Sequence, residues 1–261
     1  MIIPLVLSAL IIGITLLYAS ILDIRERRVP FKTWYPMLLA GIPLTGFSYG
    51  TLFLLNAGLA YRFLVVSALF CGLFYLFAYF HLFGGADAWA LIFIAALVPI
   101  FPFVPLMGVP PFQFFPFTVL TNAVILNLAA PLGIFIWNIR KGNKAPVRYM
   151  FFGFPVPGDR LGQFYGFVME DIREDNGIVN RRFLTLRESL SKMFRGEDRL
   201  YTKDIRLHPE NYRKECDLFR KAGEVWISYG VPFIVPITAG FFTALVGGDL
   251  LYTMMKAIAG A

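Results

Sequence analysis

Charged side chains are missing from long stretches of this sequence. Residues 88–139 form a run of 52 positions without Asp, Glu, Lys or Arg, and residues 2–22 form a second run of 21. A helix needs about 20 apolar residues to cross the ~30 Å hydrocarbon core of a bilayer. Stretches of this length therefore favour a chain that crosses a membrane several times.

The composition of the 261 residues agrees with this interpretation and excludes other classes. Hydrophobic residues make up 57% and charged residues 16%, against roughly 25% charged residues in ordinary soluble domains. The mean hydropathy is +0.65. These values exclude a soluble globular enzyme, a disordered chain and a nucleic-acid-binding domain. The predicted environment is the lipid bilayer of a cell membrane.

Six helices are predicted to cross this membrane. The run at 88–139 is too long for one helix, and the prolines between positions 99 and 116 divide it into two. The chain is thus expected to be a mainly α polytopic membrane protein. The predicted spans cover residues 2–22, 36–55, 63–80, 88–104, 117–138 and 227–255.

The charges also divide the chain into three parts. Residues 1–139 carry eight charged side chains, residues 140–226 carry 31 and residues 227–261 carry two. We therefore predict a membrane domain with five spans, a cytoplasmic domain inserted before the last helix, and a sixth transmembrane helix. The insert is predicted to be a small α+β domain, with strands at 164–172, 178–186 and 223–228 and helices at 187–195 and 209–222.

The positive-inside rule orients the predicted spans. One face receives 22 basic residues, including Arg25, Arg27 and Arg28, whereas the other face receives only Arg62 and Lys256. Both termini are therefore expected outside the cell, and the polar insert is expected in the cytoplasm.

The cysteines give no sign of a metal site. Cys71 and Cys216 lie far apart in the sequence and form no CxxC pair. A disulfide framework or a cysteine-rich zinc site is therefore not expected. The predicted chemistry uses neither a metal nor another cofactor.

Three acidic residues lie within or at the edge of the predicted spans: Asp23, Asp87 and Asp249. Ionisable side chains inside a bilayer are costly, so each is a candidate functional residue. Asp23 ends the first span and Asp87 opens the fourth, and the predicted topology puts both at the cytoplasmic face. Asp249 falls near the opposite face and is not expected to join them. Asp23 could also be an ordinary interfacial acid that pairs with Arg25 or Arg27.

Two carboxyl groups at one face suggest acid–base catalysis. Because like charges repel, two carboxyl groups that approach closely tend to share one proton. The charged member can take a proton from water, while the neutral member can hydrogen-bond a carbonyl oxygen and later protonate the leaving amine. This is the chemistry of an aspartic protease.

Asp87 ends the string Gly84-Gly85-Ala86-Asp87. Glycines before a carboxylate let an extended backbone approach closely and supply a joint that can move. Gly84, Gly85 and Ala86 are therefore candidates for supporting the site. A structural explanation is equally open, in which the glycines form the turn before the fourth helix and Asp87 lies near its N-cap.

The two aspartates and their surroundings resemble the GxGD membrane aspartyl proteases. The first span ends in Asp23-Ile24-Arg25-Glu26-Arg27-Arg28-Val29-Pro30, and the second motif is Gly84-Gly85-Ala86-Asp87. Within that family, the chain is most similar to the archaeal preflagellin peptidases, which are relatives of the type IV prepilin peptidases. The resemblance extends over the six predicted spans, the inserted domain and the start of the last helix.

The resemblance implies that Asp23 and Asp87 are the catalytic pair. It implies an endopeptidase that removes a positively charged leader from preflagellin or from archaeal pilin-like precursor proteins, on the cytoplasmic side. Ala86 stands where a strict GxGD motif has its second glycine. Bacterial prepilin peptidases usually carry CxxC pairs and a methyltransferase activity, and without CxxC that activity is not expected here.

A cluster of acidic residues in the insert is a candidate for binding such a leader. Glu170, Asp171, Glu174 and Asp175 lie within six positions, and acidic side chains attract a basic peptide. A solvated loop is the simpler explanation of the same cluster.

Other functions stay open on the sequence. The chain could be a sister peptidase that processes archaeal type IV prepilins with the same catalytic pair. It could also be a proton-coupled transporter that uses Asp23 and Asp87 as a proton site, although transporters more often show internal repeats and polar groups at mid-bilayer. A membrane scaffold would leave the motif at 84–87 unexplained.

Overall fold

The structure is a computed structural model that describes residues 2–80, 82–175, 177–185, 187–188, 191, 200–230 and 232–260. The chain divides into two compact units. The first contains Met1–Leu128 and Pro232–Ala261, and the second contains Ala129–Val231.

The first unit is built from helices. The long helices are nearly unbroken runs of apolar residues, and Asn56 starts one of them by accepting a hydrogen bond from the Leu59 N–H at 3.0 Å. Helices α6 to α9 belong to the second unit. In chain order the first unit contains α1 (Ile2–Glu26), a 3-10 turn (Phe31–Trp34), α2 (Tyr35–Leu55), α3 (Ala57–Tyr79), α4 (Gly85–Leu97), α5 (Phe115–Asn127), α10 (Ile234–Val246) and α11 (Leu250–Ala259).

The described part of the chain has four to five candidate membrane spans. The two helices Ile234–Val246 and Leu250–Ala259 make the fifth candidate if a bend of 60° is allowed within one span. The prediction of a mainly helical, multi-pass membrane protein is therefore confirmed, but the prediction of six spans is not. The four straightforward candidates are Ile2–Glu26, Phe31–Leu55, Ala57–Tyr79 and Phe115–Lys141.

Helix α4 ends at Leu97, before the predicted end of the fourth span at position 104. Pro99 and Pro102 follow, and proline cannot donate the main-chain hydrogen bond that a helix requires. The chain forms an irregular segment instead, with an antiparallel bridge between Ile100 and Phe114. The 13 residues of α4 make a helix of about 20 Å, which is shorter than the ~30 Å hydrocarbon core.

Helix α4 lies among the other helices of its unit. It contacts α1, α2, α3, α5 and α10, and Ala88, Leu91 and Ile94 on it are fully buried. A helix that is apolar on most sides is stable where other elements surround it. The helix that carries Asp87 is therefore held from several directions.

A polar cluster fixes the bend between α10 and α11. Gly248 has a φ of +111°, which few other residues adopt. The Asp249 carboxylate caps α11 by accepting the Tyr252 N–H at 2.9 Å. Its second oxygen accepts the Thr118 hydroxyl at 2.9 Å, and Asn122 donates to the Gly248 carbonyl at 2.8 Å. Asp249 is thus engaged in shaping the helix break.

The second unit combines short helices with two pairs of strands. Its core contains Val156, Leu161, Phe219, Val225 and Ile227. In chain order the unit contains α6 (Ala129–Lys141), α7 (Val147–Met150), β1 (Gly153–Pro157), a 3-10 turn (Gly158–Gln163), β2 (Glu170–Asp175), β3 (Ile178–Phe183), α8 (Thr202–Leu207), a 3-10 turn (Pro209–Tyr212), α9 (Arg213–Ala222) and β4 (Glu224–Ser228).

Both strand pairs are antiparallel. Strand β1 pairs with β4 so that Pro155 lies opposite Trp226, and β2 pairs with β3 so that Glu170 lies opposite Phe183. The Met169 N–H donates to the Trp226 carbonyl at 2.9 Å. This bond joins the start of the β2–β3 hairpin to β4.

The strands differ in detail from the prediction. Strand β2 covers Glu170–Asp175 rather than 164–172, and β3 ends at Phe183 rather than at position 186. Strand β1 is not predicted by its sequence, because its two prolines lack the N–H that a strand ladder uses. The strand predicted at 223–228 forms as β4.

The predicted helices of the insert also change. The helix expected at 209–222 begins as a 3-10 turn and becomes α9 at Arg213. The helix expected at 187–195 lies mostly outside the described residues. At its start, the Glu188 carboxylate accepts the Thr185 N–H at 2.9 Å and the Glu188 N–H donates to the Thr185 hydroxyl at 3.2 Å. This reciprocal pair is a capping box, a signature of a helix N-terminus.

Candidate active site

Asp23 lies half-buried in the last turn of α1. Its main-chain carbonyl accepts the Arg27 N–H at 3.1 Å, which closes the helix. Arg27 has a φ of +52°, a left-handed conformation uncommon outside glycine. Arg27 also lies close enough to attract the Asp23 carboxylate, as the interfacial interpretation of Asp23 expects. The helix therefore ends one turn after Asp23.

Asp87 lies in the first turn of α4, where the Ala88 N–H donates to the Gly84 carbonyl at 2.9 Å. The backbone of Gly84, with φ −60° and ψ 133°, suits any residue. The space beside Gly84 is limited, however, since a Cβ at this position would overlap Oδ2 of Asp87 and lie 3.2 Å from its Cγ. A Cβ at Gly85 would meet nothing within 4 Å. Gly84 thus provides the room that the Asp87 carboxyl group occupies.

The two carboxyl groups both lie near the start of α10. The main-chain N–H of Ile234, the first residue of α10, lies near the carboxyl groups of both Asp23 and Asp87. The two carboxyl groups are also close enough to repel each other. The first N–H groups of a helix have no partner within it and favour negative charge. The fold therefore places both aspartates near one main-chain donor.

Sequence reasoning did not identify Ile234, because a main-chain donor has no side-chain signature. Phe83 and Phe233 bring the two segments together by packing edge to face, with ring centroids 5.3 Å apart. One signal was present, since Pro232 and Pro236 lie on either side of Ile234 and proline favours the first turn of a helix.

The arrangement is suited to acid–base chemistry. Two carboxyl groups that lie close together share a proton more easily than they carry two negative charges. One can then act as a base toward water and the other as an acid toward a carbonyl oxygen. A role of Asp87 as a cap of its own helix does not account for its position near the start of α10.

Ala86, the residue before Asp87, is partly buried and packs against the core of the first unit.

The acidic cluster of the insert has a different character. Glu170 is buried, and its carboxylate accepts hydrogen bonds from the Arg181 guanidinium at 2.8–3.1 Å and from the Trp226 N–H at 2.9 Å. These bonds join β2 to β3 and β4. Glu170 therefore has a structural task and is not presented to a ligand.

The other three acids of the cluster lie nearer the surface. Burial alone would raise the pKa of Asp171, but hydrogen bonds and charge from Arg173 and Arg182 outweigh it and lower the pKa. Glu174 accepts the Lys221 ammonium at 2.7 Å. Asp175 accepts only a long bond of 3.4 Å from Asn180 among the contacts of the described residues.

Within the described part of the chain, no three His, Cys, Asp or Glu side chains are grouped as metal ligands. Cys71 belongs to the first unit and Cys216 to the second, and both are free thiols.

Two protein families match most of the chain. The family described as the type IV leader peptidase family matches residues 10–137, which include Asp23 and Asp87. The family described as archaeal peptidase A24 C-terminus, type II, matches residues 145–250, which include Ile234.

Similar proteins extend over nearly the whole length. A preflagellin peptidase of Methanocaldococcus jannaschii is 23% identical over 95% of this chain and 97% of its own length. A preflagellin peptidase of Methanococcus voltae is 25% identical over 92% of this chain and 94% of its own length.

Proposed function

The chain belongs to the type IV leader peptidase family, and we propose that it is an aspartyl endopeptidase of the membrane that removes the leader peptide from preflagellin-type precursors. The observation that carries the proposal is that Asp23 and Asp87 lie near each other and near the Ile234 N–H. The relatives named as preflagellin peptidases support the choice of substrate.

In the proposed mechanism the two aspartates hold one proton between them. The charged carboxylate takes a proton from a water molecule, whose oxygen attacks the carbonyl carbon of the scissile peptide bond. The neutral carboxyl group donates a hydrogen bond to the carbonyl oxygen. The carbon–nitrogen bond then breaks, and a proton passes from the pair to the leaving amine. The Ile234 N–H would hold the two carboxyl groups in place during these steps.

The proposal includes a topology with six spans. Helix α4 with the irregular segment after it would form the fourth span, and the bent pair α10 and α11 would form the sixth. Both termini would then lie outside, with Asp23, Asp87 and the insert facing the cytoplasm. The basic residues Arg25, Arg27 and Arg28 directly after Asp23 support this orientation.

Leader binding is proposed for the more exposed part of the acidic cluster. Asp175, which has only a long bond to Asn180, would attract the basic leader directly, and the leader would compete with Arg173 and Lys221 for the more exposed Asp171 and Glu174. The Glu170 carboxylate is buried against Arg181 and Trp226 and is left out. The family match does not favour the proton-coupled transporter. A pilin precursor remains the second substrate to compare with preflagellin.

The proposal is tested by cleavage assays on membranes that carry Asp23→Asn or Asp87→Asn. We expect each to lower the cleavage rate of a preflagellin by about 10²–10⁴-fold, the usual contribution of an acid–base group. Asp249→Asn is the matched control, because it removes a buried carboxylate that bonds elsewhere in the same unit. Cleavage at the wild-type rate by either of the first two variants would contradict the proposed mechanism.

A second substrate sharpens the result. The same membranes are mixed with a pilin precursor, and the faster-cleaved precursor identifies the branch of the family. Failure of the folded wild type to cut either precursor would reject both leader-peptidase assignments.

A further inference from the structure

A pair of buried hydroxyl groups lies one helical turn behind the candidate site. The Ser20 and Thr238 hydroxyl oxygens are 2.8 Å apart, with 8% and 5% of each residue exposed. Ser20 belongs to α1 and Thr238 to α10. This is a side-chain hydrogen bond between the helix that carries Asp23 and the helix that presents the Ile234 N–H.

The direction of the bonds extends the contact to Ile234. The Thr238 hydroxyl lies 2.8 Å from the Ile234 carbonyl and 3.3 Å from the Leu16 carbonyl. Because each hydroxyl has one proton, the short contacts are satisfied together when Ser20 donates to Thr238 and Thr238 donates to Ile234. The chain of bonds thus runs from α1 to the residue whose N–H lies beside the aspartates.

The spacing puts these groups on the same faces as the site. Asp23 is three positions after Ser20, and Thr238 is four positions after Ile234, so each pair lies on one side of its helix. In a membrane, where apolar surfaces between helices supply little driving force, such hydroxyl contacts help to fix how two helices meet. Sliding of α1 along α10 would separate the Asp23 carboxyl group from the Ile234 N–H.

We propose that Ser20 and Thr238 are positioning residues for catalysis. Their hydrogen bond fixes the position of α1 along α10, so that Asp23 lies near Asp87 and near the Ile234 N–H. The proposal rests on the proposed function of the two aspartates. Neither hydroxyl touches the reacting atoms in this proposal. Both act through the helices that carry them.

The test compares the cleavage kinetics of Thr238→Val with those of Thr45→Val on a preflagellin carrying its leader. Thr45 is a matched control, because its buried hydroxyl joins two other helices by donating to the Leu97 carbonyl at 3.0 Å, at the far end of α4 from Asp87. We expect Thr238→Val to lower kcat on the order of 10-fold, with KM within about 2-fold, because small displacements of a catalytic group are costly. We expect Thr45→Val to keep kcat within about 2-fold.

Rescue separates positioning from general stability. Thr238→Ser keeps the hydroxyl and should restore kcat to within about 3-fold of wild type, while the thermal stabilities of Thr238→Val and Thr45→Val should be similar. If Thr238→Val does not fold, Ser20→Ala breaks the same bond and is judged by the same criteria. An unchanged kcat in the folded variant, or an equal loss in Thr45→Val, would overturn the proposal.

Asp23→Asn and Asp87→Asn are measured beside these variants. If either cleaves at the wild-type rate, the proposed function itself fails. If both are inactive but Thr238→Val is fully active, only the positioning role is wrong.

Discussion

The two units of the molecule use acidic side chains in opposite ways. In the first unit, Asp23 and Asp87 lie near each other and near one main-chain N–H, although Arg27 is also near Asp23. In the second unit, Glu170 and Glu174 each bond to a basic side chain. Carboxylates with basic partners hold strands and helices together, whereas carboxyl groups that face each other persist only where the fold imposes it. The surroundings of an acid, and not its presence, indicate chemistry.

The largest expected effect in the second unit comes from Glu170→Gln. The change leaves the Arg181 guanidinium without its charged partner, and we expect it to lower the stability of the strand pairs by about 2–4 kcal/mol. Hydrogen exchange of the amides in β2, β3 and β4 measures this loss in the intact protein. Asp175→Asn is the control, with an expected effect below about 0.5 kcal/mol, because Asp175 is exposed. If the amides of β2, β3 and β4 are equally protected from exchange in Glu170→Gln and Asp175→Asn, Glu170 stabilises the strands no more than an exposed acid does.

A smaller effect, now on activity, is expected from Gly84→Ala. The new Cβ would occupy the space of the Asp87 carboxyl group and turn it away from Ile234, so we expect kcat to fall by about 10- to 100-fold. Gly85→Ala should keep most of the activity, because the space beside Gly85 is open and alanine favours a helix. The measurement is the rate of preflagellin cleavage by both variants at equal expression. A greater loss in Gly85→Ala would reject this account of the motif.

The smallest effect is a pH dependence in the second unit. Hydrogen bonds from the Thr185 N–H and hydroxyl, together with Arg182, lower the pKa of Glu188 from 4.5 to about 2. A lowered pKa in the fold means that the contribution to stability is complete above pH 4.5 and is lost as the pH falls toward 2. We expect the capping box to open over this window, as followed by NMR titration of the Glu188 carboxyl group. A titration midpoint near 4.5 would contradict it.

Much of the helical architecture and the two candidate aspartates could be predicted from the sequence. Charge-free runs mark helices in lipid, and acids at the ends of such runs are rare enough to be noticed. The bend at Asp249 and the short α4 could not be predicted, because they depend on contacts with Thr118 and on where the chain turns at its prolines. A hydropathy pattern shows neither the contact with Thr118 nor the position of the turn at the prolines.

The other differences between prediction and structure also arise from contacts between segments that are distant in sequence. Glu170 looked like a surface acid because three more acids follow it within five positions, yet Glu170 is buried and pairs with Arg181 across the hairpin. The hairpin itself was closer to prediction, since strands were expected at 164–172 and 178–186 and form at Glu170–Asp175 and Ile178–Phe183. In the proposed site Ile234 contributes only its main-chain N–H, which every residue type except proline could supply.

The length of α4 has a consequence for how the protein responds to its lipids. A helix of 13 residues would be poorly matched to a bilayer if lipid tails surrounded it. Here its neighbours are α1, α2, α3, α5 and α10, of which α1, α2 and α3 are longer than α4, so thickening or thinning of the bilayer is expected to act first on these surrounding helices. We therefore expect the helix that carries Asp87 to be shielded from hydrophobic mismatch, so that membranes of different acyl-chain length keep the same placement of Asp87.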